Sequence, residues 1–529
     1  MATFRDTMTS IVTIVDGTAG GAGEQKTTES LVSRQSQSTS SPLELSLLAL
    51  IVCVAAVLRF HALAAKSFWF DEGVSVAIAR LDGYNFARIL WRREANMSLY
   101  YLLLRGWLHF GGSEFFVRSL SVLFAVASVP VIYRLGCRLF DSRVGLIAAA
   151  LLAVNAYHVQ YSQDARSYSL MVLLCLLSSL YFLQCLHQPT RRNRAGYVLS
   201  SVLAVYAQFF SVQLVIAQWV SLKLLDGEQA ALQARAKVKE DWRWIALLVS
   251  PIVVFIATTG TGPLRWVQRP GWKDLWIFAL HFTGNGGPWL LFACAVACLA
   301  ALLPVWRTHR IRRAPFEIWR YRFLVCWLLF PLLLTLGLSL AQPLFVPRYF
   351  IFCLPPLLLL VGCGVTRLRS AVLMVPALAF VIILSLRGTT SYYQQDLDIQ
   401  RDDWRAATHY LLNHARPGDA LLFHVPMGRM PYDFYHSTVA PASAAPVVLY
   451  PRHGDRLTFL DFVEKPDDVE LERLLPQHPR AWLVFTYAES PAGLPDARSV
   501  ELSKLLRDFY SVAEQHDFPG IEILLYSKN

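Results

Sequence analysis

The stretch LELSLLALIVCVAAVLRFHALAAKSFWFDEG, residues 43–73, decides the fold class. Its first part, Leu43 to Ala65, is apolar and long enough for the roughly 20 residues that cross a bilayer as a helix. It runs almost at once into Ser67-Phe68-Trp69-Phe70-Asp71-Glu72-Gly73. Two adjacent carboxylates at a membrane edge have lost part of their hydration and need a partner or a polar cavity. Asp71 and Glu72 are therefore the first site candidates.

The rest of the chain agrees with a membrane reading. Of 529 residues 55% are hydrophobic, 13% aromatic and only 16% charged, with mean hydropathy +0.39. That is more apolar surface than a soluble core can hide, and it predicts a polytopic α-helical membrane protein. The nine cysteines lie in or beside apolar runs, without metal spacing, and read as small core hydrophobes. Residues 1–387 carry 36 Lys/Arg against 18 Asp/Glu, and residues 388–529 carry 13 against 20. The basic surplus sits in short loops between apolar runs, so it reports orientation and gives nucleic-acid binding little support.

Residues 1–42, rich in Ser, Thr, Gly and Gln, read as a disordered cytoplasmic arm. A transmembrane domain is expected over 43–387, with an outer loop at 66–116. The apolar run 99–110 is short for a span. If it crossed, the later basic loops would fall on the wrong face, so residues 84–112 are expected to form helices lying at the interface. Ten further spans follow, near 117–138, 143–160, 168–187, 195–209, 212–226, 243–260, 288–306, 322–341, 349–366 and 370–387, making about eleven in all. By the positive-inside rule the N-terminus is cytoplasmic, in the inner (cytoplasmic) membrane. Residues 388–529 then form a small extracytoplasmic α/β domain. Its helix begins near Asp402, its strands lie at ALLFHV, RAWLVFTY and EILLYS, and further helices lie near 468–476 and 499–515.

Orientation sorts the unusual polar residues. Asp71 and Glu72, Asn96, the group Tyr161-Ser162-Gln163-Asp164-Ala165-Arg166-Ser167-Tyr168, the loop Thr261 to Pro288 with Lys273 and His281, and Pro347-Arg348-Tyr349 all fall on the outer edge. An active site assembled on loops above a helical scaffold needs such convergence. A carboxylate there can take the proton of an acceptor hydroxyl. Arginines can hold a phosphate and stabilise the charge growing on it as it leaves. Outside the cell a sugar donor would most easily be lipid-borne, so the residues fit sugar transfer from a polyprenyl phosphate.

The order of apolar span, WFDEG, interfacial helix, YSQDARSYS and a late RYFIF resembles the type C glycosyltransferases of the protein O-mannosyltransferase and lipid A aminoarabinose transferase superfamily, especially bacterial members. The segment RDDWRAATHYLLNHARPGDALLF is similar to the start of their outer C-terminal domain. The resemblance implies the type C fold and transfer of a sugar, mannose or another hexose, from a polyprenyl phosphate to an acceptor protein, lipid or glycan at the outer face. It implies Asp71 as base or anchor for the acceptor, and Glu72 as its support or as ligand of a divalent cation. Asp164, Arg166, Arg348, Tyr349 and Gln163 would line the donor cavity, with Arg166 or Arg348 on the phosphate. Asn96, Lys273 and His281 would be acceptor or loop contacts. Asn96-Met97-Ser98 replaces a His-Pro-Pro-like stretch common in the family, which weakens the case for a metal. Each residue has a structural alternative: a helix cap for Asp71 and Glu72, an ion pair for Asp164 and Arg166, headgroup snorkelling for Arg348, and interface packing for Lys273 and His281. The rival functions are a transporter or flippase of a lipid-linked sugar, and a membrane-anchored receptor or scaffold. A transporter would carry its ionisable residues near mid-span, whereas these gather at one edge.

Overall fold

A computed structural model describes residues 41–226, 228–260, 267–307, 315–395, 401–438, 445–451, 457–459, 462, 468–486 and 496–528. The predicted disordered arm, up to residue 40, lies outside the described residues, as do residues 261–266 of the predicted outer loop. The chain divides into two compact units, 1–46 and 47–529. In the first, Ser41 and Glu44 form a reciprocal capping box, with N–H to side-chain distances of 3.1 and 3.2 Å. It starts helix α1 (Pro42–Phe60), which ends five residues before the span predicted from sequence.

In the second unit the segment after α1 folds into α2 (Phe70–Arg80), α3 (Gly83–Ile89), a π turn (Leu90–Glu94), a single 3-10 turn (Ala95–Met97) and α4 (Ser98–Trp107). With ten residues, α4 is about 15 Å long, half the hydrocarbon core. It cannot span. Long helices follow: α5 (Glu114–Leu139), α6 (Ser142–Val154) with the short α7 (Ala156–Ser162), α8 (Tyr168–His187), α9 (Arg191–Ala207), α10 (Val212–Lys223) and α11 (Glu228–Thr259). Then come α12 (Trp272–Thr283), α13 (Pro288–Arg307), α14 (Pro315–Ser339), a 3-10 stretch (Pro347–Cys353) leading into α15 (Leu354–Thr366), and α16 (Ala371–Gln394). Asp141 and Asn155 cap α6 and α7, and Ser113 caps α5, each accepting a backbone N–H of the first turn.

Among the described residues seven helices are long and apolar enough to cross a membrane, or nine if the bent pairs α6–α7 (59°) and α12–α13 (75°) each make one span. All eleven predicted spans fall on helices. The difference is α9, whose first turn carries Arg191, Arg192 and Arg194, and α10, which has 12 residues. The predicted loop 261–288 needs correction, because it contains α12. Lys273, Asp274 and His281 made that helix read as polar, and Gly284-Asn285-Gly286-Gly287-Pro288 breaks it sharply before α13, with three of those residues at positive φ. Helices approach closely where side chains are smallest. A Cβ on Gly364 of α15 would lie 1.9 Å from the Ala297 carbonyl of α13, the small-residue packing that membrane helices use.

The C-terminal part opens with α17 (Trp404–His414), capped by Asp403. It continues through β1 (Ala420–Phe423), α18 (Arg429–His436), β2 (Val447–Tyr450), α19 (Asp468–Leu474), β3 (Arg480–Thr486), α20 (Ala497–Arg507), β4 (Ser511–Phe518) and β5 (Ile521–Ser527). The sheet order is β2-β1-β3-β5-β4, with β1 parallel to β2 and β3, and β5 antiparallel to its two neighbours. Because strand side chains alternate, Leu421, Phe423, Trp482 and Val484 join the main core with Trp404 and Tyr432, while Leu422 and Leu483 pack with Leu475, Leu502 and Leu506. An α/β fold is as predicted. The helix predicted over 499–515 stops at Arg507, and SVAEQHDF forms β4 instead. That edge strand is exposed almost throughout, so it shows no apolar alternation to read.

Candidate active site

The acidic motif sits on the first turn of α2, with Trp69 just before it. Successive helical residues point about 100° apart, so the two carboxylates face different surroundings. Glu72 points inward and has no exposed surface. Arg118 of α5 binds it twice, Nε to Oε1 at 2.8 Å and Nη2 to Oε2 at 2.6 Å. The backbone N–H of Ala165 donates to Oε1 at 2.8 Å and that of Trp69 to Oε2 at 3.4 Å. Those four donors fill the carboxylate's four lone-pair positions. Arg118 also donates to the carbonyls of Leu63, Lys66 and Ser67 at 2.8–3.0 Å. It thus pins the whole connection between α1 and α2. A cation bound by Glu72 would have to displace Arg118, so this residue does not fit the metal role. Among the described residues no group of three or more His, Cys, Asp or Glu gathers as a metal site.

Asp71 faces the other way. Its carboxylate is 25% exposed and stands between two arginines, with Arg166 Nη2 at 3.5 Å and Arg348 Nη2 at 3.9 Å. Arg166 is spread over several partners: Nη1 reaches Ser75 Oγ at 3.2 Å and Tyr101 OH at 3.3 Å, and Nη2 reaches Met97 Sδ at 3.2 Å. Burial would weaken its charge, but Asp71 and the phenols around it outweigh that and hold it well above its ordinary range. Arg348 comes from the 3-10 stretch before α15. Its guanidinium lies over the rings of Trp69 (5.5 Å) and Tyr349 (5.9 Å), and its side chain is 17% exposed. Tyr349 in turn packs on Phe210 at 5.0 Å.

The other predicted residues divide. Asp164 is buried, and it pairs with Arg401 Nη2 at 2.6 Å, not with Arg166. Burial pushes its carboxyl up, to about 6, against the pull of Arg401. Gln163 is a strut: Nε2 donates to the carbonyls of Arg59 (3.0 Å) and His61 (2.8 Å), and Oε1 accepts from Tyr392 OH at 2.8 Å. Asn96, half-buried in the 3-10 turn, makes no hydrogen bond into the centre among the described residues. Lys273 is exposed on the first turn of α12 and has no ion pair to the centre among the described residues; His281 lies half-buried on that helix's last turn. The structure therefore gathers Asp71, Glu72, Asp164, Arg166, Arg348 and Tyr349, and leaves Lys273 outside.

Three charged residues at the centre escaped the sequence reading. Arg118 and Arg401 each lie in a segment that reads only as a helix start. Glu94 lies in a basic interfacial stretch, and its Oε2 accepts from Tyr101 OH at 3.0 Å. Burial raises its carboxyl above the usual range, opposed by Arg166. A 3-10 turn lies between Glu94 and Tyr101, seven residues apart, so no helical spacing signalled the pair.

Residues 98–258 match the family model described as dolichyl-phosphate-mannose-protein mannosyltransferase. No curated protein sequence matches the chain. Among solved structures, ArnT from Cupriavidus metallidurans in the apo state is similar with TM-score 0.59 at 13% identity, over 91% of this chain and 98% of that one. The same protein bound to undecaprenyl phosphate gives TM-score 0.57 at 12% identity, over 90% and 97%. The expected resemblance is borne out by the family match, which takes in YSQDARSYS but not WFDEG, and by the fold, which is ArnT-like: a multi-pass helical membrane protein with a small C-terminal sheet domain.

Proposed function

We propose that the protein is a membrane glycosyltransferase that moves a sugar, mannose or another hexose, from a polyprenyl phosphate to an acceptor at the outer face of the cytoplasmic membrane. The observation that carries this reading is Asp71, a partly exposed carboxylate flanked by Arg166 and Arg348 at 3.5 and 3.9 Å. Asp71 takes the proton of the acceptor hydroxyl while that oxygen bonds to the anomeric carbon. The bond from that carbon to the phosphate oxygen breaks, and polyprenyl phosphate leaves with the electron pair. Arg348, the more open arginine, holds the departing phosphate; Arg166 fixes Asp71 and adds to the positive field. Tyr349 and Trp69 wall the donor side. Glu72 acts by holding α2 in place, and Asp164 by holding the loop that carries Arg166. The N-terminus is cytoplasmic and the 388–529 domain extracytoplasmic, as the distribution of Lys and Arg supports. ArnT with undecaprenyl phosphate bound is a precedent for such a lipid on this fold.

The test is sugar transfer by purified protein in proteoliposomes supplied with polyprenyl phosphomannose and with other polyprenyl phosphosugars, together with an envelope extract as acceptor. Release of polyprenyl phosphate coupled to acceptor labelling is expected. Passage of the intact lipid phosphosugar across the bilayer without cleavage would sink the transferase reading and favour a flippase.

A further inference from the structure

The C-terminal domain meets the candidate centre at several points. Arg405 of α17 donates to Glu114 and to the carbonyls of Ala64 (2.9 Å) and Lys66 (3.2 Å), and its own N–H reaches Ser67 Oγ at 3.0 Å. Tyr435 of α18 donates to Glu114 and accepts from the Phe68 N–H at 2.6 Å. Pro431 of α18 lies directly over Gly73, where a Cβ would come within 2.7 Å of the proline Cβ. The residue after Glu72 is glycine because another helix crosses it there. These contacts seat the domain on the connection that Arg118 pins from below.

Arg401 does something different, because it reaches a charged group of the centre itself. Its Nη2 lies 2.6 Å from Asp164 Oδ1, and its guanidinium covers Trp69 at 5.7 Å from the ring centroid. The other oxygen of Asp164 has no hydrogen-bond partner among the described residues, so the bond to Arg401 is what fixes this buried carboxylate. The next residue, Ala165, donates its N–H to Glu72, and the one after, Arg166, faces Asp71. Trp69, the residue before α2, therefore has Arg348 and Arg401 on it at 5.5 and 5.7 Å. Through Asp164 on one side and Trp69 on the other, Arg401 touches both segments that aim the reacting groups.

We propose that Arg401 is a positioning residue supplied by the C-terminal domain: it fixes the Asp164 loop and Trp69, so the transfer centre is complete only when that domain is docked. This rests on the transferase reading above for its kinetic consequence and on the contacts alone for its structural one. A centre displaced by an ångström loses rate far more than affinity.

The experiment uses the full chain in proteoliposomes with polyprenyl phosphomannose. Arg401→Gln should lower kcat by about tenfold or more while KM for the donor stays within about twofold, and Arg401→Lys should recover most of the rate. Amide exchange of peptides covering 67–75 and 162–168 should quicken by about tenfold in Arg401→Gln. Unchanged kcat, or a lower kcat with unchanged exchange, would overturn the proposal. If the wild-type protein cleaves no polyprenyl phosphosugar, the transferase reading fails and the exchange data decide alone: faster exchange upholds the positioning role, and unchanged exchange overturns it. If Arg401→Gln does not fold, the neutral pair Asp164→Asn/Arg401→Gln replaces it. A kcat still about tenfold low in that pair upholds the proposal; a wild-type kcat shows that Arg401 only neutralises a buried charge, and overturns it.

Discussion

The two sides of α2 carry the same chemical group in opposite circumstances. On the inner side Glu72 is buried, meets four donors and is locked to Arg118. On the outer side Asp71 is a quarter exposed, and its two cations stand at 3.5 and 3.9 Å, near enough to orient it without closing it off. A saturated carboxylate can hold structure but has no capacity left for a substrate. An unsaturated one beside two arginines can accept a proton next to a bound phosphate. The difference arises from one step along a helix, about 100° of rotation.

That contrast can be broken by substitution. Asp71→Asn should lower transfer by about 10³-fold with the unfolding midpoint unchanged, as loss of a general base does. Comparable losses of activity and stability together would erase the distinction between the two sides. Glu72→Gln should do the reverse first, costing about 3–5 kcal/mol because Arg118 is left as an uncompensated buried charge; calorimetry or denaturant titration of detergent-solubilised protein reads it. Arg348→Gln should reduce kcat/KM by about 10²-fold with little loss of stability, whereas Arg166→Gln, which removes contacts to Ser75 and Tyr101 as well, should lower both. Gln163→Ala should cost about 1–3 kcal/mol of stability through three lost hydrogen bonds and leave kcat unchanged in the folded fraction. The last effect concerns pH. Asp164 has a raised folded pKa, about 6 against 3.8 unfolded. Its stabilising contribution is therefore full below the unfolded value and is lost as pH rises through about 6. Asp164→Asn should flatten that slope, which is at most about 1.4 kcal/mol per pH unit.

Much of this centre could be read from the sequence because expensive residues announce themselves. Asp71, Glu72, Asp164, Arg166 and Arg348 are charged groups beside apolar runs, and a charge count through the loops put them at one edge. The scaffold was legible for the same reason, since all eleven predicted spans fall on helices. What escaped notice had no such local signal. Arg118 lies inside the first turns of a long apolar helix, where one arginine reads as an interface anchor. Arg401 sits ahead of a polar helix more than 200 residues from Asp164, and only tertiary packing brings the two together. The metal role weighed for Glu72 failed on geometry, since spacing cannot show that an arginine 46 residues away fills the carboxylate. Helix α12 was missed because its charged first turn and glycine-rich end imitate a loop.

The most direct measurement is mass spectrometry of lipid that copurifies with three forms of the protein. A polyprenyl phosphosugar is expected on Asp71→Asn, where the donor binds but is not consumed. Mainly polyprenyl phosphate is expected on the wild type, and neither lipid on Arg348→Gln. A polyprenyl phosphosugar retained equally by all three would contradict the division of labour between Asp71 and Arg348, and with it the proposed centre.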